Sequence, residues 1–202
     1  MIDLEKYVKL YNIKVFNFID FKKKFSKKLN KLLNGFDCNT NDDEYKYFLT
    51  ENACTFSNLN LAVTYIVFDT KEEVILSYFT LSASTIEVTN SEKKKISSDI
   101  PFSYIPALLI GKLAANNNED YEKLGTITIQ IIFALVEELK EKIGFRVLSV
   151  DADLDASPTI IEFYKKFNFI YNRKKYFDSS KNELDIPDSG TITMYIDVEK
   201  IV

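Results

Sequence analysis

The chain has 202 residues, of which 46% are hydrophobic and 28% charged, and its formal net charge is −4 at pH 7. This composition is that of a globular protein, and it excludes collagen-like chains, disordered tails and disulfide scaffolds. A chain of this length buries about 70% of its unfolded surface, so it can form a core without metals or disulfides. The acidic balance is not that of a general nucleic-acid binder, although a local basic patch can still bind one.

The cysteine and histidine content limits the chemistry. There are 2 Cys and no His. The two cysteines, Cys38 and Cys54, favour a reducing compartment in which both are free thiols, so we expect a cytoplasmic protein. Because His is absent, Ser-His-Asp catalysis, Cys-His catalysis and imidazole-bound zinc are excluded, and we expect no metal site. We expect no signal peptide, because the N-terminal stretch MIDLEKYVKL has no apolar h-region. We expect no membrane span, because no apolar run approaches ~18 residues.

A basic segment lies near the N-terminus. Seven of the 26 Lys and Arg residues lie between Lys14 and Lys31, against one acidic residue. Phenylalanines and leucines at spacings of three and four predict an amphipathic helix over residues 14–34. The lysines of 22–31 form either a solvated helix face or a contact surface for an acidic partner such as tRNA.

Strand and helix patterns alternate along the rest of the chain. Two strands are predicted in NLAVTYIVFD and EEVILSYFTLSA, because both are rich in β-branched and aromatic residues. Residues 85–103 are predicted to be a loop with room for a short strand. The apolar stretch YIPALLIGKLAA is predicted to be a central strand.

The C-terminal half has a βαβ character. A helix is predicted from Thr126 to Gly144, followed by a buried strand in FRVLSVDA. Ser157 and Pro158 predict the cap and the first position of the next helix. Two closing strands are predicted in NFIYNRKKYF and TITMYIDV. The count is six or seven strands and about four helices.

Several stretches resemble the GNAT superfamily of acyl-CoA N-acetyltransferases. IGKLAA resembles the family's strand end "(I)GRLAV", and GFRVLSVDADLDASPTIIEFYKKFNF resembles "GxRxLxVDAxxxxAxxFYxxxGF". Upstream, GFDCNTNDDEYKYFLTENA and VTYIVFDTKEEVILSYFTLSAS resemble the "FDCGxxxLDxFL" and "GYYTLSA" stretches of one branch. That branch includes toxins that acetylate the amino group of aminoacyl-tRNA. The resemblance covers residues 35–197.

The resemblance implies an α/β (α+β) fold and an activity. The fold would be a twisted, mixed, mostly antiparallel sheet of six or seven strands, flanked by about four helices, with a splayed central parallel pair. We expect a domain of residues 35–202 with residues 1–34 packed on it. The activity would be transfer of an acetyl group from acetyl-CoA to a primary amine. A homodimer is considered as well.

The resemblance also places the cofactor. The family signature [QR]-x-x-G-x-[GA] aligns with Glu122, Gly125 and Ile127, of which Gly125 alone matches. Pyrophosphate would bind backbone N–H groups where the long helix begins. By resemblance, the Leu113 N–H faces the thioester oxygen. Residues expected to contact the cofactor are Leu113, Ala114, Ala115, Glu122, Lys123, Leu124, Gly125, Thr126, Ile127 and Ser157.

The catalytic acid implied by the resemblance is Tyr164, the tyrosine of the family's "FY". Its hydroxyl would protonate the departing CoA sulfur; the alternative is a core aromatic side chain. The base stays open: water suffices for an amine near its ordinary pKa, and the side-chain candidates are Asp151, Asp153, Glu87 and Ser84.

An alternative function follows from departures from the family pattern. They are Glu122, Ile127 and Asn168, which stand where the family has neutral or basic, small, and glycine residues respectively. They favour a degenerate member that binds the cofactor weakly or not at all and acts as a binding module.

Overall fold

The computed structural model describes residues 4–38, 44–178 and 180–201. Within them, the helices are α1 (Leu4–Leu10), α2 (Phe18–Lys24), α3 (Leu29–Asn34), α4 (Glu44–Tyr47), α5 (Ala53–Asn58), α6 (Asn90–Ile96), α7 (Leu124–Leu139), α8 (Ile160–Lys165) and α9 (Arg173–Tyr176), with a π-helical turn at Phe48–Asn52 and a 3-10 turn at Val198–Lys200. The strands are β1 (Ile13–Asn17), β2 (Val63–Asp69), β3 (Val74–Glu87), β4 (Tyr104–Ala115), β5 (Val147–Asp153), β6 (Ile170–Tyr171), β7 (Phe177–Asp178), β8 (Glu183–Leu184) and β9 (Thr191–Asp197).

Seven strands form one mixed sheet in the order β1-β2-β3-β4-β5-β9-β6, and β7 pairs with β8 separately. β4 and β5 are parallel, whereas β1–β2, β2–β3, β5–β9 and β6–β9 are antiparallel. The predicted mixed, mostly antiparallel sheet with one parallel pair is confirmed. The described residues contain more helices than the four predicted. All of these helices except α7 are short, with four to seven residues each.

The chain forms two compact units. The first unit combines Met1–Ser82 with Gly111–Glu137, and the second unit combines Ala83–Ile110 with Glu138–Val202. Neither unit ends at residue 34, and the expected domain of residues 35–202 with residues 1–34 packed on it stays a prediction. Among the helices that the structure describes, none has the length and apolar character needed to cross a membrane.

The first unit contains the N-terminal strand. β1 pairs with β2, with Ile13 opposite Asp69 and Asn17 opposite Tyr65. The single helix predicted over residues 14–34 is therefore wrong, because pairing with a distant strand overrides local helical periodicity. The Asn17 side chain accepts the Asp20 N–H at 2.9 Å and so starts α2 only after the strand has ended.

An aromatic cluster forms the interior of the first unit. Phe21 packs edge-on against Phe68, and Phe25 contacts both rings, with centroid distances of 4.7 to 5.2 Å. Edge-on aromatic pairs stabilise a core beyond the area that they bury. The phenylalanine spacing that predicted an amphipathic helix thus reports true burial, although the backbone changes from strand to helix within it.

The second unit is built on β5 and β9. The two strands pair over seven residues, from Val147 opposite Asp197 to Asp153 opposite Thr191. β4 adds on the other side of β5 in a parallel register that covers Ala107–Ile110 and Val147–Val150. β4 then continues to Ala115 and β5 to Asp153.

Two predictions in the second unit are wrong. The segment predicted as a loop over 85–103 contains the helix α6, whose start is a complete capping box between Thr89 and Glu92. The closing strand predicted in NFIYNRKKYF ends at Tyr171, because the Asn172 side chain accepts the Lys175 N–H and starts α9. The sequence carried both signals, as T-x-x-E at 89–92 and as a strand-breaking Asn.

Glu92 has more partners than its cap. It is 1% exposed, and its carboxylate accepts from the Thr89 N–H and hydroxyl at 2.8 Å. It also accepts from the Arg173 N–H at 2.7 Å and from the Tyr195 hydroxyl at 3.3 Å. These donors replace the hydration that a buried carboxylate loses.

We predict that Glu92→Ala destabilises the protein more than Thr89→Ala does. Loss of the Thr89 cap costs about 1 kcal/mol. Loss of Glu92 leaves donors on three residues, one buried and two half-buried, without their acceptor and costs about 3 kcal/mol. Urea unfolding measures both. Lys94→Ala, on the exposed face of α6, is the control and should change the stability by less than about 0.5 kcal/mol; equal losses for Thr89→Ala and Glu92→Ala would contradict the prediction.

Candidate active site

The end of β4 holds the residues expected to face the thioester. Leu113, Ala114 and Ala115 are its last three residues and lie beyond the stretch paired with β5. Just before them, the Thr80 hydroxyl accepts the Lys112 N–H at 2.9 Å, so a side chain intervenes in the backbone bonding at this point. A Cβ on Gly111 would lie 3.0 Å from this hydroxyl oxygen, which explains glycine here.

The residue after β4 fixes the strand end. The Asn116 N–H donates to the Leu76 carbonyl and its side-chain amide donates to the Ile75 carbonyl, both at 2.8 Å. The Asn117 N–H then donates to the Asp37 carbonyl at 2.6 Å. The path from β4 into the loop before α7 is therefore set by three hydrogen bonds within the first unit.

A pair of tyrosines holds the loop before α7. The Tyr121 hydroxyl donates to the buried Asp69 carboxylate at 3.0 Å, and burial together with this bond raises the pKa of Tyr121 above its ordinary value. The Tyr11 ring packs edge-on against Tyr121 at 4.9 Å, and its hydroxyl accepts the Glu122 N–H at 3.1 Å. Sequence reasoning did not identify Tyr11 as a site residue, because Glu122, whose N–H it accepts, lies 111 residues further along the chain.

The start of α7 offers backbone donors. The Ile127 N–H closes the first turn on the Lys123 carbonyl at 2.9 Å. The N–H groups of Leu124, Gly125 and Thr126 are the ones that an α-helix leaves without an intrahelical acceptor. Lys123 has φ +58°, a conformation that favours glycine, so the chain turns sharply into the helix. Such a helix start suits an anion.

The structure shows how the three residues that depart from the family pattern are placed. Glu122 is exposed, so its charge is screened by water. Ile127 is 1% exposed, so its side chain lies in the interior rather than over the donors. Asn168 has φ +65°, the conformation in which Asn is the usual substitute for Gly.

Ser157 and Tyr164 lie in the second unit. The prediction that Ser157 caps the helix is wrong: α8 begins at Ile160 with Thr159 as its cap residue. Ser157 instead opens a turn in which its carbonyl accepts the Ile160 N–H at 3.1 Å, and Pro158 takes the second turn position. Proline favours that position because its φ is already suitable.

Tyr164 is a buried aromatic residue on α8. It is 3% exposed, and its ring packs edge-on against Phe163 and Phe169 at 5.2 and 5.4 Å. Burial raises the pKa of the Tyr164 hydroxyl above its ordinary value. A tyrosine hydroxyl is protonated at neutral pH even at its ordinary pKa, and the raised pKa makes this one a weaker acid.

Of the four side-chain candidates for the general base, three lie in the wall of one cavity. Ser84, Glu87 and Asp151 belong to the wall of a cavity of about 210 Å³ in the second unit. Asp153 is held elsewhere, because its carboxylate accepts the N–H groups of Asp155 and Ala156 at 3.1 Å. The ranges described contain no group of three or more His, Cys, Asp and Glu residues that could hold a metal.

The structure thus distributes the predicted site residues over the two units. The β4 end, Leu113–Ala115, and the α7 start, Glu122–Ile127, belong to the first unit. Ser157 and Tyr164 belong to the second unit.

Solved structures share this architecture. A Tyr-to-Phe mutant of KacT matches with a TM-score of 0.68 and 20% identity, over 94% of this chain and 96% of that chain. The chain has the GNAT fold. AtaT complexed with acetyl-methionyl-tRNAfMet matches with a TM-score of 0.65 and 20% identity, over 94% and 96% of the two chains. AtaTR bound with AcCoA matches with a TM-score of 0.64 and 20% identity, over 94% and 95%. Protein-family models and curated protein sequences give no match.

We predict that Tyr164 makes the free energy of unfolding decrease at alkaline pH. In the unfolded chain a tyrosine ionises near pH 10, whereas the buried hydroxyl resists ionisation. The stability present below pH 10 is thus lost as the pH rises above it, and Tyr164→Phe removes this loss. Between pH 9 and 11 the free energy of unfolding of the parent should fall by about 1.4 kcal/mol relative to the variant.

Denaturant unfolding at both pH values measures this difference. Tyr104→Phe is the matched control, because Tyr104 is 62% exposed and its hydroxyl meets water in both states. Parallel pH curves for the parent and Tyr164→Phe would show that the hydroxyl is solvated in the folded protein.

Proposed function

We propose that this protein transfers an acetyl group from acetyl-CoA to the primary amine of an aminoacyl-tRNA in the cytoplasm. The observation that carries the proposal is the α7 start, where backbone donors follow the tyrosine-held loop that connects β4 to α7. The GNAT fold shared with AtaT complexed with acetyl-methionyl-tRNAfMet supports the choice of acceptor.

The cofactor would bind along the first unit. The N–H groups of Leu124, Gly125 and Thr126 would hold the pyrophosphate. Ala115 would pair with the pantetheine arm, and the Leu113 N–H would donate to the thioester oxygen as it gains negative charge. Acetyl-CoA would supply the acetyl group and the leaving thiolate.

Tyr164 would donate the proton that the sulfur needs. Its hydroxyl carries the proton at neutral pH, although burial raises its pKa and so makes it a weaker acid than an exposed tyrosine. The same burial supports the second candidate function, a binding module without catalysis, since a fully packed ring is also what a core aromatic requires. Turnover by the parent protein separates the two.

The basic surface of α2 and α3 supports an RNA partner. Lys22, Lys23, Lys24, Lys27 and Lys31 are exposed. An RNA contact through such lysines would weaken steeply with salt, because each phosphate contact releases counterions. A merely solvated face would show no such dependence.

We predict that acetyl-CoA raises the melting temperature, whereas ATP and NAD do not, because a ligand that binds only the folded state stabilises it. Thr126→Asp should weaken acetyl-CoA binding at least 10-fold, since it places a negative charge among the donors. The same charge is favourable in the first turn of a helix, so stability should not fall. Calorimetry and thermal melts measure both.

The control is Thr126→Asn, which has nearly the same size without the charge and should keep most of the affinity. If millimolar acetyl-CoA produces no thermal shift with the parent protein, the acetyltransferase proposal is wrong. If Thr126→Asp binds as the parent does, the pyrophosphate lies elsewhere.

We predict that Tyr164→Phe lowers turnover by roughly 10²-fold, as expected for loss of a positioned acid. Acetyl-CoA affinity should stay nearly constant, because the hydroxyl acts mainly in the transition state. The assay follows acetylation of aminoacyl-tRNA, with small amines and peptides compared in parallel. Parental turnover by the variant would assign Tyr164 to the core alone.

A further inference from the structure

The cavity in the second unit lies at the end of the parallel strand pair. Leu109 of β4 and Asp151 of β5 both line it. Asp151 directly follows Val150, the last β5 residue in the parallel register. Open α/β sheets bind their ligands outside the carboxyl ends of parallel strands. The cavity therefore occupies a position at which such sheets bind small molecules.

A hydrogen-bonded chain of three side chains runs along the cavity wall. Lys175 Nζ donates to Thr193 Oγ1 at 2.7 Å, and Thr193 Oγ1 donates to Asp151 Oδ1 at 2.5 Å. Asp151 is exposed, and within the described residues no hydrogen bond is made to its Oδ2. One carboxylate oxygen is thus held by Thr193, while the other can receive a cationic ligand.

Two ammonium groups lie on the same wall, and α9 positions them. The buried Asn172 donates its side-chain amide to the Glu87 carbonyl at 3.1 Å and accepts the Lys175 N–H at 3.3 Å. Lys174 Nζ lies 3.4 Å from the Glu87 carboxylate. An ammonium has three donors, so Lys174 and Lys175 each keep donors for an anionic ligand.

The wall carries the carboxylates of Asp151 and Glu87 and the ammonium groups of two lysines, so it suits a ligand with charges of both signs. A carboxylate suits a primary ammonium, and two lysines suit a phosphate. The cavity, at about 210 Å³, is smaller than the roughly 300–1,000 Å³ that encloses a whole drug-sized ligand. It admits the end of a longer molecule. An aminoacyl group joined to a nucleotide has this form, with an ammonium at its tip and a phosphate behind it.

We propose that this cavity is the acceptor site, in which Asp151 binds the aminoacyl ammonium and accepts its proton while Lys174 and Lys175 bind the neighbouring phosphate. The assignment rests on the proposed function. The amine nitrogen forms a bond to the acetyl carbon as the carbon–sulfur bond breaks. Of the two protons that the ammonium loses, one leaves to water through Asp151 and the other balances the proton that the sulfur gains.

A non-hydrolysable aminoacyl nucleotide tests the assignment without catalysis. The probe is 3′-methionylamido-3′-deoxyadenosine 5′-monophosphate, titrated into the protein by calorimetry. We expect Asp151→Asn to weaken its binding at least 10-fold, because the ammonium loses its carboxylate. N-acetylation of the probe should weaken binding to the parent to a similar degree and have little further effect on Asp151→Asn.

A second variant tests the phosphate end. Lys175→Met should weaken binding of the phosphorylated probe several-fold and leave binding of the 5′-dephosphorylated probe nearly unchanged. Asp188→Asn is the matched control, because Asp188 is an exposed carboxylate of the same unit outside the cavity wall. Asp188→Asn should bind the phosphorylated and the dephosphorylated probe as the parent protein does.

The outcomes separate the two proposals. Absence of probe binding to the parent, or equal binding by Asp151→Asn, overturns the acceptor site. If acetyl-CoA binds in that case, the acetyltransferase proposal stands without it. If the probe binds as expected but acetyl-CoA does not, the proposed function fails and the cavity remains an aminoacyl-nucleotide site. A thermal melt of each variant confirms that it is folded.

Discussion

The second unit depends on the hydrogen bonds that the buried carboxylate of Glu92 accepts. Thr89, Arg173 and Tyr195 all donate to it, so residues from three separate segments of the chain bind one side chain. A buried carboxylate is costly unless donors replace its lost water, and this requirement ties α6, α9 and β9 together. The places of Lys174 and Lys175 at the cavity therefore follow from a residue outside the cavity wall.

The first unit uses the buried Asp69 in a similar way. It accepts the N–H groups of Lys71 and Glu72, which closes the turn between β2 and β3, and it also accepts the hydroxyl of Tyr121. The loop before α7 is thereby held from the sheet, while Tyr11, in the turn after α1, holds it from the other side through the Glu122 N–H. If the α7 start binds an anion as proposed, its backbone donors depend on this positioning rather than on particular side chains.

Local sequence patterns predicted correctly those elements whose pattern fits a single type of secondary structure. The mostly apolar stretch 104–115 is β4 to the residue, because apolar residues at successive positions leave no helical stripe. The phenylalanines after Lys14 fit a helix equally well, and only pairing with β2 makes residues 13–17 a strand. The cavity could not be predicted at all, since Asp151, Lys175 and Thr193 come together only through the β5–β9 register and the start of α9.

The discontinuity of the first unit has a consequence for synthesis. Asn116 and Asn117 bond to Ile75, Leu76 and Asp37, so the N-terminal part is completed by residues that follow Gly111. At about 5–20 residues per second on the ribosome, the stretch from Ser82 to Glu137 takes several seconds to emerge. During that time the emerging chain has its aromatic cluster and basic face but lacks the helix start that would hold a nucleotide anion. A nascent chain at this stage therefore contains the basic segment before it contains α7.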